Sequence, residues 1–265
     1  MARVNVYNEK EIQILKEGGR ILASILIRLE KEALENVSTK SLDKMAYDLC
    51  IENDAEPAFL NYTPHGADRA FPASVCISVN HEVVHGIPNE KPKVLKKGDV
   101  VTLDMGLKYK DMFTDSAITL VVGGAEYNKI GQEMIDVATR ALYNAIDIIE
   151  PGVRTGDIGQ AIEDTVKKNN GKRFKIPTIL GGHGIGHGIH EDPFVPNFGK
   201  KGEGVVLKEG NVIAVEPILT ENTSAMNMLN DGYTFVTQDK GLAVHVEHTL
   251  VVTKDGVLIL TDRLQ

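Results

Sequence analysis

Tryptophan is absent from the 265-residue chain, and Cys50 and Cys76 are its only cysteines. Two cysteines without a secretory signal exclude a disulfide framework and imply reduced thiols in the cytoplasm. Cys76 has no neighbouring base and acid to activate it, so it reads as a small core hydrophobe and not as a nucleophile. Long apolar runs are also missing. No segment approaches the roughly 18 apolar residues of a membrane span, and the first ten residues hold no apolar stretch of a targeting type. The three glycosylation sequons, at Asn36, Asn61 and Asn222, are therefore read as chance matches. An excess of basic charge is lacking too. A net charge of −8 argues against broad nucleic-acid binding, and no specific DNA partner is expected. The glycine-rich stretch 181–193 satisfies no Gly-x-Gly-x-x-Gly spacing and ends in no Gly-Lys-Ser/Thr, which excludes a dinucleotide fingerprint and a phosphate loop there.

What is present is an ordinary globular composition, 42% hydrophobic and 25% charged, laid out twice. Residues 9–35 place Ile12, Leu15, Ile21, Leu22, Ile25, Leu26 and Leu29 at helical spacing, and Ser38 and Thr39 cap a second helix. The order returns with an amphipathic helix over 127–149, a break at Pro151-Gly152, and a further helix beginning near Thr155. Each half then passes through a Gly- and His-bearing loop into a strand: Asp-Val-Val-Thr-Leu-Asp over 99–104, and Asn-Val-Ile-Ala-Val-Glu over 211–216. Asp104 and Glu216 thus occupy matching positions, and Thr119-Leu-Val-Val corresponds to Thr249-Leu-Val-Val. The fold expected is α/β of α+β type. It has two pseudo-twofold-related αβ halves, about 9–124 and 125–254, within one catalytic domain spanning 1–265, and a central antiparallel sheet covered by helices.

Acids recur in these strands. The runs 99–104 and 113–122 read as a hairpin, and a turn centred on Tyr109-Lys110 puts Asp104 directly opposite Asp115, with Cβ atoms about 4.5–5.5 Å apart. Like charges that close are retained when a cation lies between them. The second half adds His183, embedded in glycine so that backbone and imidazole can approach an ion, together with Glu216 and Glu247. Any one of these is, taken alone, more often a turn acid or a structural histidine. Together they are hard to treat as independent, because unpaired buried charge is expensive. Four carboxylates match two divalent ions in charge. His81, His187, His245 and His248 have no such support, and His65 reads as a surface-loop residue.

The motifs Val84-His85-Gly86-Ile87-Pro88, Leu103-Asp104-Met105-Gly106, Thr114-Asp115, Gly182-His183-Gly184-Ile185-Gly186, His190-Glu191-Asp192-Pro193, Glu216-Pro217 and Glu247-His248-Thr249 resemble those of the methionine aminopeptidases, in order and over nearly the whole chain. The short spacing from His190 to Glu216 is similar to type I enzymes. The resemblance implies the pita-bread fold and two divalent ions, Co, Mn, Fe or Zn. Asp104, Asp115 and Glu247 would serve one ion and Asp115, His183, Glu216 and Glu247 the other. It further implies Glu216 as general base, His190 at the carbonyl oxygen and His85 at the amide-nitrogen side of the scissile bond. Phe71, Cys76, Ile189 and Tyr233, together with His85 and His190, would contact substrate. The chain departs from the family at 62–72 and at Tyr233, where a Trp is frequent. The implied activity is removal of N-terminal methionine from nascent polypeptides when the second residue is small. The setting expected is a cytoplasmic monomer with transient ribosome contact. A proline-specific relative would share the ligands but carry an extra N-terminal domain. A non-catalytic binding module would be expected to have lost ligands.

Overall fold

The computed structural model describes residues 4–64, 66–170 and 173–263, so the reading of His65 falls outside it. Helix α1 (Glu9–Glu32) opens on a reciprocal cap. The Asn8 side chain accepts from the N–H groups of Lys10 and Glu11, and the Glu11 carboxylate accepts from the Asn8 N–H. Its apolar stripe of Leu15, Leu22, Ile25, Leu26 and Leu29 is buried. Helix α2 (Thr39–Glu52) is capped by Ser38. Both cover strands Val100–Tyr109, Cys76–Val79 and Met112–Val121, and share with them a core of Leu22, Leu26, Leu42, Ile77, Leu103 and Ile118.

The second half repeats this plan. Helix α3 (Lys129–Ile146) begins later than the periodicity predicts, because a 3₁₀ turn occupies Ala125–Tyr127 and the Asn128 side chain caps the Gly131 N–H. With helix α4 (Thr155–Asn170) it packs over a sheet ordered Gly256–Ile259, His248–Thr253, Val212–Val215, Gly181–Gly184, Glu191–Pro196. Met134, Leu142, Ile158, Ile162, Ile213 and Leu250 belong to a second core.

The halves are tied at the middle by side-chain hydroxyls. Thr249 Oγ1 accepts from the Asp115 N–H at 2.9 Å and donates to the Asp115 carbonyl at 2.7 Å. Thr119 Oγ1 does the same for His245, accepting from its N–H at 3.1 Å and donating to its carbonyl at 2.6 Å. The Glu247 N–H completes the seam by donating to the Ala117 carbonyl at 3.0 Å. The threonines are 130 residues apart, and so are Asp115 and His245. The pseudo-twofold therefore relates Asp115 to His245, not to Glu247.

The hairpin register differs from the sequence reading. Lys110 and Asp111 both take positive φ, 47° and 63°, and form the two-residue turn that closes Tyr109 onto Met112. Asp104 consequently lies opposite Ala117 and Asp115 opposite Gly106. The slip is two residues, so both aspartates keep the same face of the sheet and are diagonal neighbours.

Because valine preserves the shape of threonine while removing the hydroxyl, Thr119→Val and Thr249→Val should each destabilise the fold by about 1–3 kcal/mol, as buried backbone groups lose their partner. Urea unfolding measures this, and a change under about 0.5 kcal/mol in both would show that the seam does not depend on these hydroxyls.

Candidate metal centre

Backbone geometry delivers the acids to one place. Asp104 faces Cys76 on one neighbouring strand and Ala117 on the other. Glu216 follows Val215 at the end of a strand that Pro217 stops, and Glu247 lies between strands Ala243–His245 and His248–Thr253. His183 sits where the Gly181–Gly184 strand shifts register against its neighbour. Glycine is required on both sides of it: a Cβ on Gly182 would collide with the Ala214 carbonyl, and one on Gly184 with the Asp192 carbonyl.

Three overlapping sets of donors result. Asp104, Asp115 and Glu247 present ligand atoms within 4.8 Å of one another, as do His183, Glu216 and Glu247, and as do Asp115, His183 and His190. Glu247 belongs to the first two sets, the arrangement a bridging carboxylate needs. The acids are deeply buried, Asp115 at 3% exposure and Glu247 at 2%. Burial raises their pKa values, and neighbouring carboxylates add to the shift at Asp115, Glu216 and Glu247. Asp104 is pushed up to about 7 and Glu216 to about 8, while Asp115 and Glu247 lie well above the usual carboxylate range. Asp115 Oδ1 and Glu247 Oε1 are buried with no hydrogen-bond partner among the described residues. Oxygen-rich donors with imidazole, unpartnered and of net negative charge, fit divalent cations.

Burial holds the cavity histidines below the usual imidazole range. Desolvation lowers His183 to about 3 and His85 to about 4, in each case with a further contribution from His190, whose own pKa is lowered by burial. His183 Nδ1 is 2.9 Å from the Gly184 carbonyl, an acceptor only, so Nδ1 carries the proton. The bare Nε2 faces Glu216 Oε1 at 3.8 Å. His190 stands edge-on to His183, ring centres 4.6 Å apart, and its Nδ1 pairs with the Tyr62 hydroxyl at 3.2 Å. The loop before it is anchored by Glu191, whose carboxylate accepts from Asn5 Nδ2, the Tyr7 hydroxyl and the Gly188 N–H.

A cavity of about 210 Å³ opens over this floor. All five predicted ligands, together with His85, His190, Phe71, Cys76 and Tyr233, line it. Ile189 stands behind the wall: it is buried, with its Cδ1 and the Phe59 ring occupying the space a Cβ on Gly106 would need. Tyr233 is held by its hydroxyl, which donates to the Arg69 carbonyl, and its ring meets Phe71 at 5.1 Å. Sequence reasoning missed His245, Tyr62, Phe59, Ile179 and Phe194, which also line the cavity. For His245 a signal existed in the 130-residue repeat that links it to Asp115. His187 and His248 are engaged elsewhere, with Glu11 at 2.8 Å and Thr261 at 2.9 Å respectively.

Residues 13–254 match the model of metallopeptidase family M24. The chain is 40% identical over 263 residues to the methionine aminopeptidase of Aquifex aeolicus (strain VF5), covering 98% of this chain and 99% of that one. The crystal structure of methionine aminopeptidase from Thermotoga maritima superposes with a TM-score of 0.91 at 33% identity, covering 98% of this chain and 100% of that one. A prolidase from Pyrococcus furiosus shares the fold at 23% identity and a TM-score of 0.73, and this chain spans 65% of its length.

The raised carboxylate pKa values predict a pH dependence of known sign. Between the ordinary values, 3.8 and 4.5, and the folded values of about 7 and 8, Asp104 and Glu216 bind more protons folded than unfolded. Their contribution to stability is therefore full below about pH 4 and lost as pH rises toward 8. Thermal melts in chelator should fall across that window, and a divalent ion should restore stability at its upper end. In Asp115→Asn the restoring increment should disappear. A full increment in that variant would remove Asp115 from the ligand set.

Proposed function

The chain belongs to metallopeptidase family M24, among its methionine aminopeptidases, and from that premise we propose that its cleft releases N-terminal methionine from nascent polypeptides whose second residue is small. It is a metallo-exopeptidase. The observation behind this reading is the overlap of donor sets at Glu247 beneath a cavity with apolar walls. Asp104, Asp115, His183, Glu216 and Glu247 would hold two ions, drawn from Co, Mn, Fe and Zn, with Asp115 and Glu247 the carboxylates that would serve both. When bound, such ions lower the pKa of coordinated water and polarise the scissile carbonyl.

The remaining chemistry belongs to the chain. Glu216, a carboxylate at the floor of the cavity, accepts the proton of the attacking water and passes it to the leaving amine. With the Tyr62 hydroxyl donating to Nδ1, His190 keeps its proton on Nε2 and donates it to the carbonyl oxygen as charge develops there. His85, held at φ 57° so that its ring enters the cavity, meets the amide-nitrogen side of the bond. Phe71, Cys76 and Tyr233 give a flexible thioether an apolar wall, with Ile189 supporting it from behind. Carboxylates around the ions favour a free α-amine over an internal amide, which makes the enzyme an exopeptidase. At the mouth, Tyr62, His190, Ile179 and Phe194 restrict the second residue.

We take residues 1–265 as one catalytic unit and assign it to the cytoplasm, where nascent N-termini arise, as a monomer in transient contact with the ribosome. Separately, no helix among the described residues is long and apolar enough to cross a membrane.

Peptides Met-Gly-Ser, Met-Ala-Ser and Met-Ser-Ser should show far higher kcat/KM than Met-Lys-Ser or Met-Leu-Ser, and X-Pro dipeptides should not be turned over. Equal rates for Ala and Leu at the second position would remove the small-residue rule, and X-Pro turnover above Met-Ala-Ser would remove the methionine assignment. His190→Ala should keep its metal content and lose about 10²–10³ in kcat. Metal loss in that variant would make His190 a ligand.

A further inference from the structure

His245 is 3% exposed, and neither ring nitrogen has a hydrogen-bond partner among the described residues. Its position is fixed from the opposite half of the molecule, where the Thr119 hydroxyl grips both its N–H and its carbonyl. Pairing of His245 with Ile218 brings the ring beside Glu216, two residues away. Nε2 lies 3.4 Å from Glu216 Oε2 and 3.8 Å from Glu247 Oε2. The other oxygen of Glu216, Oε1, is the one that faces His183 Nε2. Two histidines therefore address the two oxygens of one carboxylate from different sides. They differ in kind. His183 commits Nδ1–H to a carbonyl and presents a bare nitrogen, and it converges with Glu216 and Glu247 on a common point. His245 belongs to none of the converging donor sets.

We propose that His245 is a positioning residue for Glu216. Nε2–H is the donor nearest Glu216 Oε2, a 3.4 Å pair just outside hydrogen-bond geometry that a small turn of the carboxylate closes, with Glu247 Oε2 as a second acceptor. That bond fixes the rotation of the carboxylate, so Oε1 stays turned to the His183 side, where ligation and proton transfer take place. A carboxylate free to rotate would offer either oxygen, and with it a variable base. The inference rests on the assignment of Glu216 made above.

The experiment compares His245→Leu, which removes the donor at similar bulk, with His245→Gln, whose amide N–H can reach the same oxygen. Mn²⁺ binding is read by calorimetry without peptide, Co²⁺ loading by its visible spectrum, and kcat and KM on Met-Ala-Ser. In His245→Leu, Mn²⁺ affinity and kcat should each fall about 10–100-fold with the number of bound ions unchanged and KM little altered. His245→Gln should recover most of both losses. Parental affinity and kcat in His245→Leu would overturn the proposal, as would loss of a bound ion, which would make His245 a ligand. Equal impairment of the glutamine variant would overturn it too. Should the leucine variant fail to fold, His245→Met gives the same donor-free comparison. Because Mn²⁺ binding is measured without peptide, a parent enzyme inactive on Met-Ala-Ser would defeat the peptidase reading while leaving this test intact.

Discussion

Mutual repulsion among Asp104, Asp115, Glu216 and Glu247 is the constraint around which the molecule is organised. Left to themselves, these groups would separate or stay protonated, as their pKa values register, raised first by burial and, at Asp115, Glu216 and Glu247, further by neighbouring carboxylates. What keeps them together is backbone: two hairpin-bearing sheets, each fixed to its own pair of helices, docked so that Thr119 and Thr249 close the seam beside the acids. The hydroxyls satisfy backbone groups that would otherwise be orphaned where two sheets meet without a continuous ladder. Repulsion is thereby converted into affinity for cations, since a site that cannot relax by moving apart relaxes by binding positive charge.

The same seam explains what was legible in the sequence. The start of the second helix was readable because its cap is local: the Ser38 side chain accepts from the Lys40 N–H, two residues on. The face on which Asp104 and Asp115 lie was readable because strand periodicity is two, and it survived a wrong turn assignment for the same reason. The register was not readable from alternation, because it depends on Lys110 and Asp111 both accepting positive φ. His245 was passed over because its neighbours in sequence are unremarkable valines, while the groups that give it meaning, Thr119 and Glu216, are distant in the chain. Ile189 was placed on the pocket wall, yet it lies one layer deeper, because Gly106 opens a space that a strand pattern does not reveal. Mouth residues such as Ile179 and Phe194 gave no periodic signal at all. They are exposed apolar side chains that only the folded cleft brings together.

The likeness to a prolidase at 23% identity shows how little the fold alone selects. What distinguishes one chain on this scaffold from another is the side chains that line its cleft. In this chain, Phe71 against Tyr233, and Tyr62 against His190, are ring pairs in the cavity lining. The two tyrosine rings are fixed by hydrogen bonds, Tyr233 to the Arg69 carbonyl and Tyr62 to His190, so the cavity keeps a defined shape rather than filling by collapse.

The bond from Asp115 to Thr249 spans 134 residues. During synthesis, Asp104 and Asp115 leave the ribosome in a hairpin that can form locally, long before Glu216, Glu247 or the threonine that fixes them has been translated. The half-finished chain thus holds a pair of acids with no complete set of ligands to share a cation. The complete donor set therefore exists only after Glu247 and Thr249 have been made and the two halves have docked.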